Sequence, residues 1–218
     1  MMISRPLHRD DDRTAPSNRP LDLRLMLGAA WRRLPLAVRR RFAPAHDAVT
    51  YQGRIDLHCN LVGRIFAWLA RGFGSPLCSE RCESRPATVR VRPDGQGGMV
   101  WERHFQGTNG RDHVVRSTKA LDHDGQLWER TDGGLRMRLD VREEQGTLVF
   151  VSRCYALELW GRLVPVPVLL TPGRCRVTHL DLGGGRFRFT MEMRHPLWGR
   201  TFFQQGDFAD PPAGTCVH

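Results

Sequence analysis

Long apolar runs are missing from this chain. Nowhere in its 218 residues do about eighteen apolar side chains follow one another, so no transmembrane helix is predicted. The first twenty residues, MMISRPLHRDDDRTAPSNRP, contain no apolar core of the signal-peptide kind. Lysine is nearly absent as well. Lys119 is the only one, and all other basic residues behind the formal charge of +10 are arginines. So complete a skew fits a GC-rich genome as well as selection for phosphate, and the arginines are spread rather than gathered in a block. Specific nucleic-acid binding is therefore not expected, and the basic surface reads as a solvated one. Six cysteines, at positions 59, 78, 82, 154, 175 and 216, are too sparse for a secreted disulfide scaffold. Reduced thiols in a cytoplasm fit best.

Catalytic signatures are also missing. There is no P-loop, no G-x-S-x-G elbow and no H-E-x-x-H. The run Gly183-Gly184-Gly185 joins two predicted strands, so it lacks the helix N-terminus that would hold a phosphate. Cys78 and Cys82, with His58 and Cys59 nearby, hint at zinc, but no second ligand pair follows and no metal site is expected. Asp122, His123 and Asp124 fall in a predicted turn open to water. His195 ends a strong strand close to Trp198. An enzyme would need polar groups such as His195, Arg54 and Glu102 to converge in a pocket. No catalytic residue and no cofactor is expected, and the chain leans away from being an enzyme.

What is present is pattern. Residues 1–20 mix charge, proline and asparagine without period and read as a disordered leader; 211–218 read as a flexible tail. Between them, 21–210 reads as one domain. Leu23, Leu27, Trp31, Leu34, Val38 and Phe42 recur every three or four residues, which marks a helical face. Asp22 can cap it, and Pro35 should kink it or open a second helix. Residues 49–58 form a strand. Leu61, Ile65, Trp68 and Leu69, with Val62 and Phe66 beside them, predict a second amphipathic helix. The stretch 75–86 is expected to be a loop.

From Pro86 the chain alternates with period two. Trp101, Arg103 and Phe105 oppose Glu102 and His104; Leu135, Met137 and Leu139 interleave with Arg136 and Arg138; Phe187, Phe189, Met191 and Met193 interleave with Arg188, Thr190 and Glu192. Successive strand side chains point to opposite faces, so this is a sheet with one dry and one wet face. The breaks, at 93–98, 107–110, 122–125, 131–134, 143–146 and 183–185, are rich in Asp, Asn and Gly and suit tight hairpins. The expected fold is α+β: an antiparallel meander of about eight strands, curled into a barrel or half-barrel, with N-terminal amphipathic helices packed on it. Residues 156–173 carry Pro165, Pro167 and Pro172, which exclude a central strand and suggest an apolar lid.

The dry face is rich in large, adaptable side chains. Trp101, Met137, Phe187, Phe189, Met191 and Met193 are the candidate lining for an apolar ligand, because methionine and aromatics accept partners of varied shape. The expected function is a non-catalytic module that binds an apolar small molecule or lipid inside the barrel. The alternative is an accessory domain for a partner protein or an anionic membrane surface, engaged through the basic helices.

Several segments carry a family likeness: WRRLPLAVRRRF (31–42), Gly53-Arg54 in YQGRIDLH, LARGFGSP (69–76), LVFVSRCYALELWG (148–161), VPVPVLLTPG, and RHPLWGRTFFQQGDF (194–208). Together they resemble the bacterial domain-of-unknown-function family 4166 over about residues 23–208. Phe42 departs from the family, which often has histidine there. Members stand alone or follow a Rossmann-type oxidoreductase half. The resemblance therefore implies an accessory or ligand-holding module, with a separate Rossmann-type oxidoreductase as partner.

Overall fold

The computed structural model describes residues 19–44, 47–73, 77, 81–106 and 112–212. Most of the expected leader and tail, the 107–110 turn and Cys78 lie outside the described residues. Eleven antiparallel strands dominate: β1 (Val49–Cys59), β2 (Cys82–Pro93), β3 (Met99–Gln106), β4 (Asp112–Leu121), β5 (Leu127–Arg130), β6 (Leu135–Glu144), β7 (Thr147–Leu159), β8 (Arg162–Val166), β9 (Arg174–Gly183), β10 (Arg186–His195) and β11 (Gly199–Ala209). Ten of them close a barrel. Each pairs with its neighbour from β1 to β7, then β7 pairs with β9, β9 with β10, β10 with β11, and β11 with β1. β7 is shared: its residues 148–151 pair with β9, and 155–159 pair with the extra strand β8.

The expected barrel is thus present, and it is fully closed. It has ten strands: nine in the section expected to hold about eight, and β1, expected separately at 49–58. The inner faces of β4 and β9 carry Ser117, Lys119 and His179 among the apolar residues. Closure removes the exposed edges of an open sheet. The predicted 75–86 loop is shorter than expected, since 82–86 already belong to β2.

The helices occupy opposite ends of the barrel. At one end lie α1 (Leu23–Leu27), a 3-10 turn (Gly28–Arg33) and α2 (Leu36–Arg41). Asp22 caps α1 by accepting from the Arg24 N–H at 2.9 Å, and Pro35 stands just ahead of α2 with its fixed φ. Leu21, Leu23, Leu34 and Val38 are buried against Leu127, Leu139, Leu148 and Phe150, which makes this segment a plug. Each such burial is worth roughly 1.5–3 kcal/mol. Arg41 latches the plug: it donates to Asp210 at 2.7 and 2.8 Å and to Asp181 at 2.9 Å. Its guanidinium carbon also lies 4.6 Å from the Phe187 ring centre.

At the other end, α3 (Leu61–Leu69) follows β1. Asn60 caps it through the Gly63 N–H at 2.7 Å and donates to the Trp198 carbonyl at 3.3 Å. The buried face of α3 is Gly63 and Ala67, and a side chain on Gly63 would collide with the Thr201 carbonyl oxygen. The stripe that announced the helix therefore points away from the barrel: Leu61, Ile65, Trp68 and Leu69 are all more than half exposed. The proline-bearing segment divides into three. Its start completes β7, Pro165 sits in β8 at the barrel's edge, and a 3-10 turn (Val168–Leu170) leads to β9. Pro165 thus falls in an edge strand, where its missing N–H costs no ladder bond.

Candidate functional site

The inward rows of the strands follow directly from the register. Met99, Trp101, Arg103 and Phe105 of β3 face Lys119, Ser117, Val115 and His113 of β4. Lys119 faces Glu129 of β5, which faces Met137 of β6, which faces Tyr155 of β7. Among the described residues, two cavities carry the candidate lining. The smaller, about 80 Å³, lies toward the plug and is lined by Trp101, Phe187 and Phe189 among others. The larger, about 270 Å³, lies toward α3 and is lined by Met137, Met191, Met193, Tyr155 and Cys175. All six candidate lining residues therefore face the interior, split three and three between the cavities. Leu69, Leu170, Thr171 and Pro172 roof the larger one. Leu69 and Leu170 also have 53% and 68% of their surface exposed, so the roof is at once cavity wall and outer surface.

Arg103 and Lys119 line both cavities, and Glu129 joins them in the larger. The only lysine of the chain is thus inside the barrel. Its side chain retains 8% of its surface, and its ammonium pairs with the Glu129 carboxylate at 3.0 Å. The same ammonium lies 4.4 Å from the centre of the Trp101 ring, a cation–π distance. The Arg103 side chain is 12% exposed and stands 4.0 Å from Glu129, beyond hydrogen-bond reach. Burial pulls the proton affinities of both Arg103 and Lys119 down, while Glu129 pulls them up. Burial opposes ionisation of Glu129, but Lys119 and Arg103 hold its carboxyl below the usual range. Two cations and one anion therefore meet where the two cavities adjoin, between walls that are mainly apolar.

The family model for the domain of unknown function DUF4166 matches residues 34–208. The chain belongs to this family. No curated protein matches it. Among solved structures, the chain is similar to a "putative thioesterase II" from Thermobifida fusca YX at 10% identity, over 81% of this chain and 84% of that one, with a TM-score of 0.22. So slight a likeness bears on neither fold nor reaction.

The other titratable groups of the DUF4166 barrel are quiet. Burial pushes the Cys175 thiol up to about 12, which leaves it protonated and a poor nucleophile. Burial likewise raises Tyr155, whose hydroxyl donates to the Gly173 carbonyl at 2.7 Å. His179, stacked 4.4 Å from Phe187, is pushed down to about 3 by burial and is a neutral ring.

The polar trio that an enzyme would have needed does not converge. His195 is buried, with its Nδ1 accepting from the Leu197 N–H at 3.1 Å and its ring 4.1 Å from that of Trp198. Arg54 lies outside and donates to Ser84 at 2.7 Å, and Glu102 lies on the outer face between Arg92 and Arg116. Asp122 corrects an expectation: it is buried rather than open to water. It accepts from the Gln126 N–H at 2.7 Å and from the Trp128 indole at 2.9 Å, which staples the β4–β5 turn. Among the described residues, no cluster of three or more metal-ligating side chains forms, and no helix is long and apolar enough to cross a membrane.

Sequence reasoning passed over the charged centre. Arg103 was visible on the dry period of β3, and Lys119 was visible as a singleton. The missing step was pairing. With DHDG closing the β4–β5 hairpin, Lys119 and Glu129 fall directly opposite each other.

Proposed function

We propose that this DUF4166 domain is a non-catalytic binding module that holds an apolar small molecule or lipid inside its barrel. The observation that carries this reading is the cavity of about 270 Å³ walled by Met137, Met191, Met193 and Leu157. Well-packed interiors leave few voids larger than a water molecule. Methionine walls adapt to ligands of different outline. Native mass spectrometry of freshly purified protein, followed by solvent extraction, is expected to release an apolar molecule. Protein that carries nothing, and that takes up no dodecan-1-ol in calorimetry, would refute the reading.

A second reading draws on the exposed stripe of α3. Leu61, Ile65 and Trp68, with Trp160 and Leu197 at the same end, form apolar surface of the kind that a partner covers. An accessory domain for an oxidoreductase, or a contact with anionic membrane, would use this end rather than the basic N-terminal helices, whose apolar face is spent on the plug. Cosedimentation with anionic vesicles at low and high salt separates the two versions, because attraction to charged lipid must weaken with ionic strength.

A further inference from the structure

The charged centre gives the ligand a chemical class. Arg103, Lys119 and Glu129 leave one positive charge in excess at the junction of the two cavities. Arg41, a third cation on the wall of the smaller cavity, has carboxylate partners of its own in Asp181 and Asp210, at the plug end. A buried charge without a hydrogen-bonded partner is costly, and a guanidinium lined up on a cavity is a donor fork awaiting an acceptor. Among the described residues, no acceptor takes a hydrogen bond from Arg103, whose only carboxylate neighbour is 4.0 Å away. On either side of it the walls are apolar: Trp101 and Phe189 toward the plug, Met137 and Met191 toward α3.

From this we infer that the barrel binds an amphipathic monoanion, a carboxylate on an apolar body, with its head at Arg103 and Lys119 and its body in the methionine-walled cavity. The inference rests on the binding reading given above and narrows it. One negative charge matches the single excess cation, whereas a phosphate monoester would bring up to two. The carboxylate's two oxygens suit the planar fork of Arg103. Glu129 has a defined part in this arrangement. It holds Lys119 in place in the empty barrel and competes with the incoming head, so the site is tuned by an internal carboxylate.

The test uses the full chain with dodecanoate, dodecan-1-ol and dodecyl phosphate as probes in calorimetry at neutral pH. Wild-type protein is expected to bind dodecanoate about tenfold or more tightly than dodecan-1-ol, the worth of a hydrogen bond to a charged group. Dodecyl phosphate is expected to bind less well than dodecanoate. Arg103→Met and Lys119→Met should erase the preference for acid over alcohol while alcohol binding persists. Glu129→Gln should change it in the opposite sense, strengthening dodecanoate alone. That gain of affinity keeps the idea open to refutation even where Arg103→Met fails to fold. Equal binding of acid and alcohol by the wild type, or a loss of dodecanoate affinity in Glu129→Gln, overturns the monoanion class and leaves the binding reading standing. Failure of every probe to bind removes both.

Discussion

The two ends of the barrel are closed by different physics. At the plug end, leucine and valine side chains are buried under α1 and α2, and Arg41 ties α2 to Asp181 in β9 and to Asp210 just past β11. At the other end, α3 touches the barrel through Gly63, Ala67 and the half-buried Phe66, and offers Leu61, Ile65, Trp68 and Leu69 outward. A helix anchored by leucines and an ion pair is expensive to lift. One seated on glycine, alanine and a single half-buried phenylalanine has less apolar burial to lose. The firmly fixed end is therefore the N-terminal one, and the roof over the larger cavity, built from the end of α3 and the 3-10 turn at 168–170, is the more lightly held.

Breaking the latch should have the largest effect. Arg41→Ala leaves Asp181 and Asp210 facing each other's charge beside an unfilled gap over Phe187. About 3 kcal/mol of stability should be lost, read from the urea midpoint at constant slope. A loss no greater than that of a surface substitution would mean that the plug end is not latched at all. Gly63→Ala probes the other closure, with an intermediate effect. Its new methyl group meets the Thr201 carbonyl oxygen, so α3 must shift, at roughly 1–3 kcal/mol. Amide exchange should speed up in α3 and stay slow in β3 and β4; equal acceleration everywhere would show that α3 is part of the barrel's cooperative core. The smallest effect is expected at Trp160, at the tip of the β7–β8 hairpin, a residue 97% exposed. Trp160→Ser should leave the unfolding midpoint within about 0.5 kcal/mol of the wild type, and a larger change would show that the hairpin tip has a partner in the folded chain.

Most of the barrel was legible because alternation and turn chemistry agree. Phe187 to Met193 interleave with arginine and threonine, and a Gly-Gly-Gly turn joins them to β9, so pattern and hairpin point to one sheet. α3 was legible as a helix but not in its orientation. Periodicity reports which residues share a face, and it is silent on whether that face meets the core or the solvent. Here the small residues Gly63 and Ala67 allow close approach, and the leucine stripe is left outside. The candidate lining was legible for the same reason as the strands, since facing inward is a local property. The charged centre was not, because it depends on closure. Arg103, Lys119 and Glu129 lie on three strands of a wall, and only the complete circuit of ten turns an inward polar residue into an enclosed one.

The solitary lysine has a practical consequence. In a chain whose other cationic side chains are all guanidinium groups, Lys119 is the only ε-amine, and it lies inside the barrel between the two cavities. An amine-directed reagent small enough to enter would therefore label the interior at one side chain, and the chain's α-amine is the other amine it would meet. The rate of that labelling would follow the opening of the roof, and an occupant in the cavity would slow it. The protein thus carries its own reporter of whether the barrel is filled.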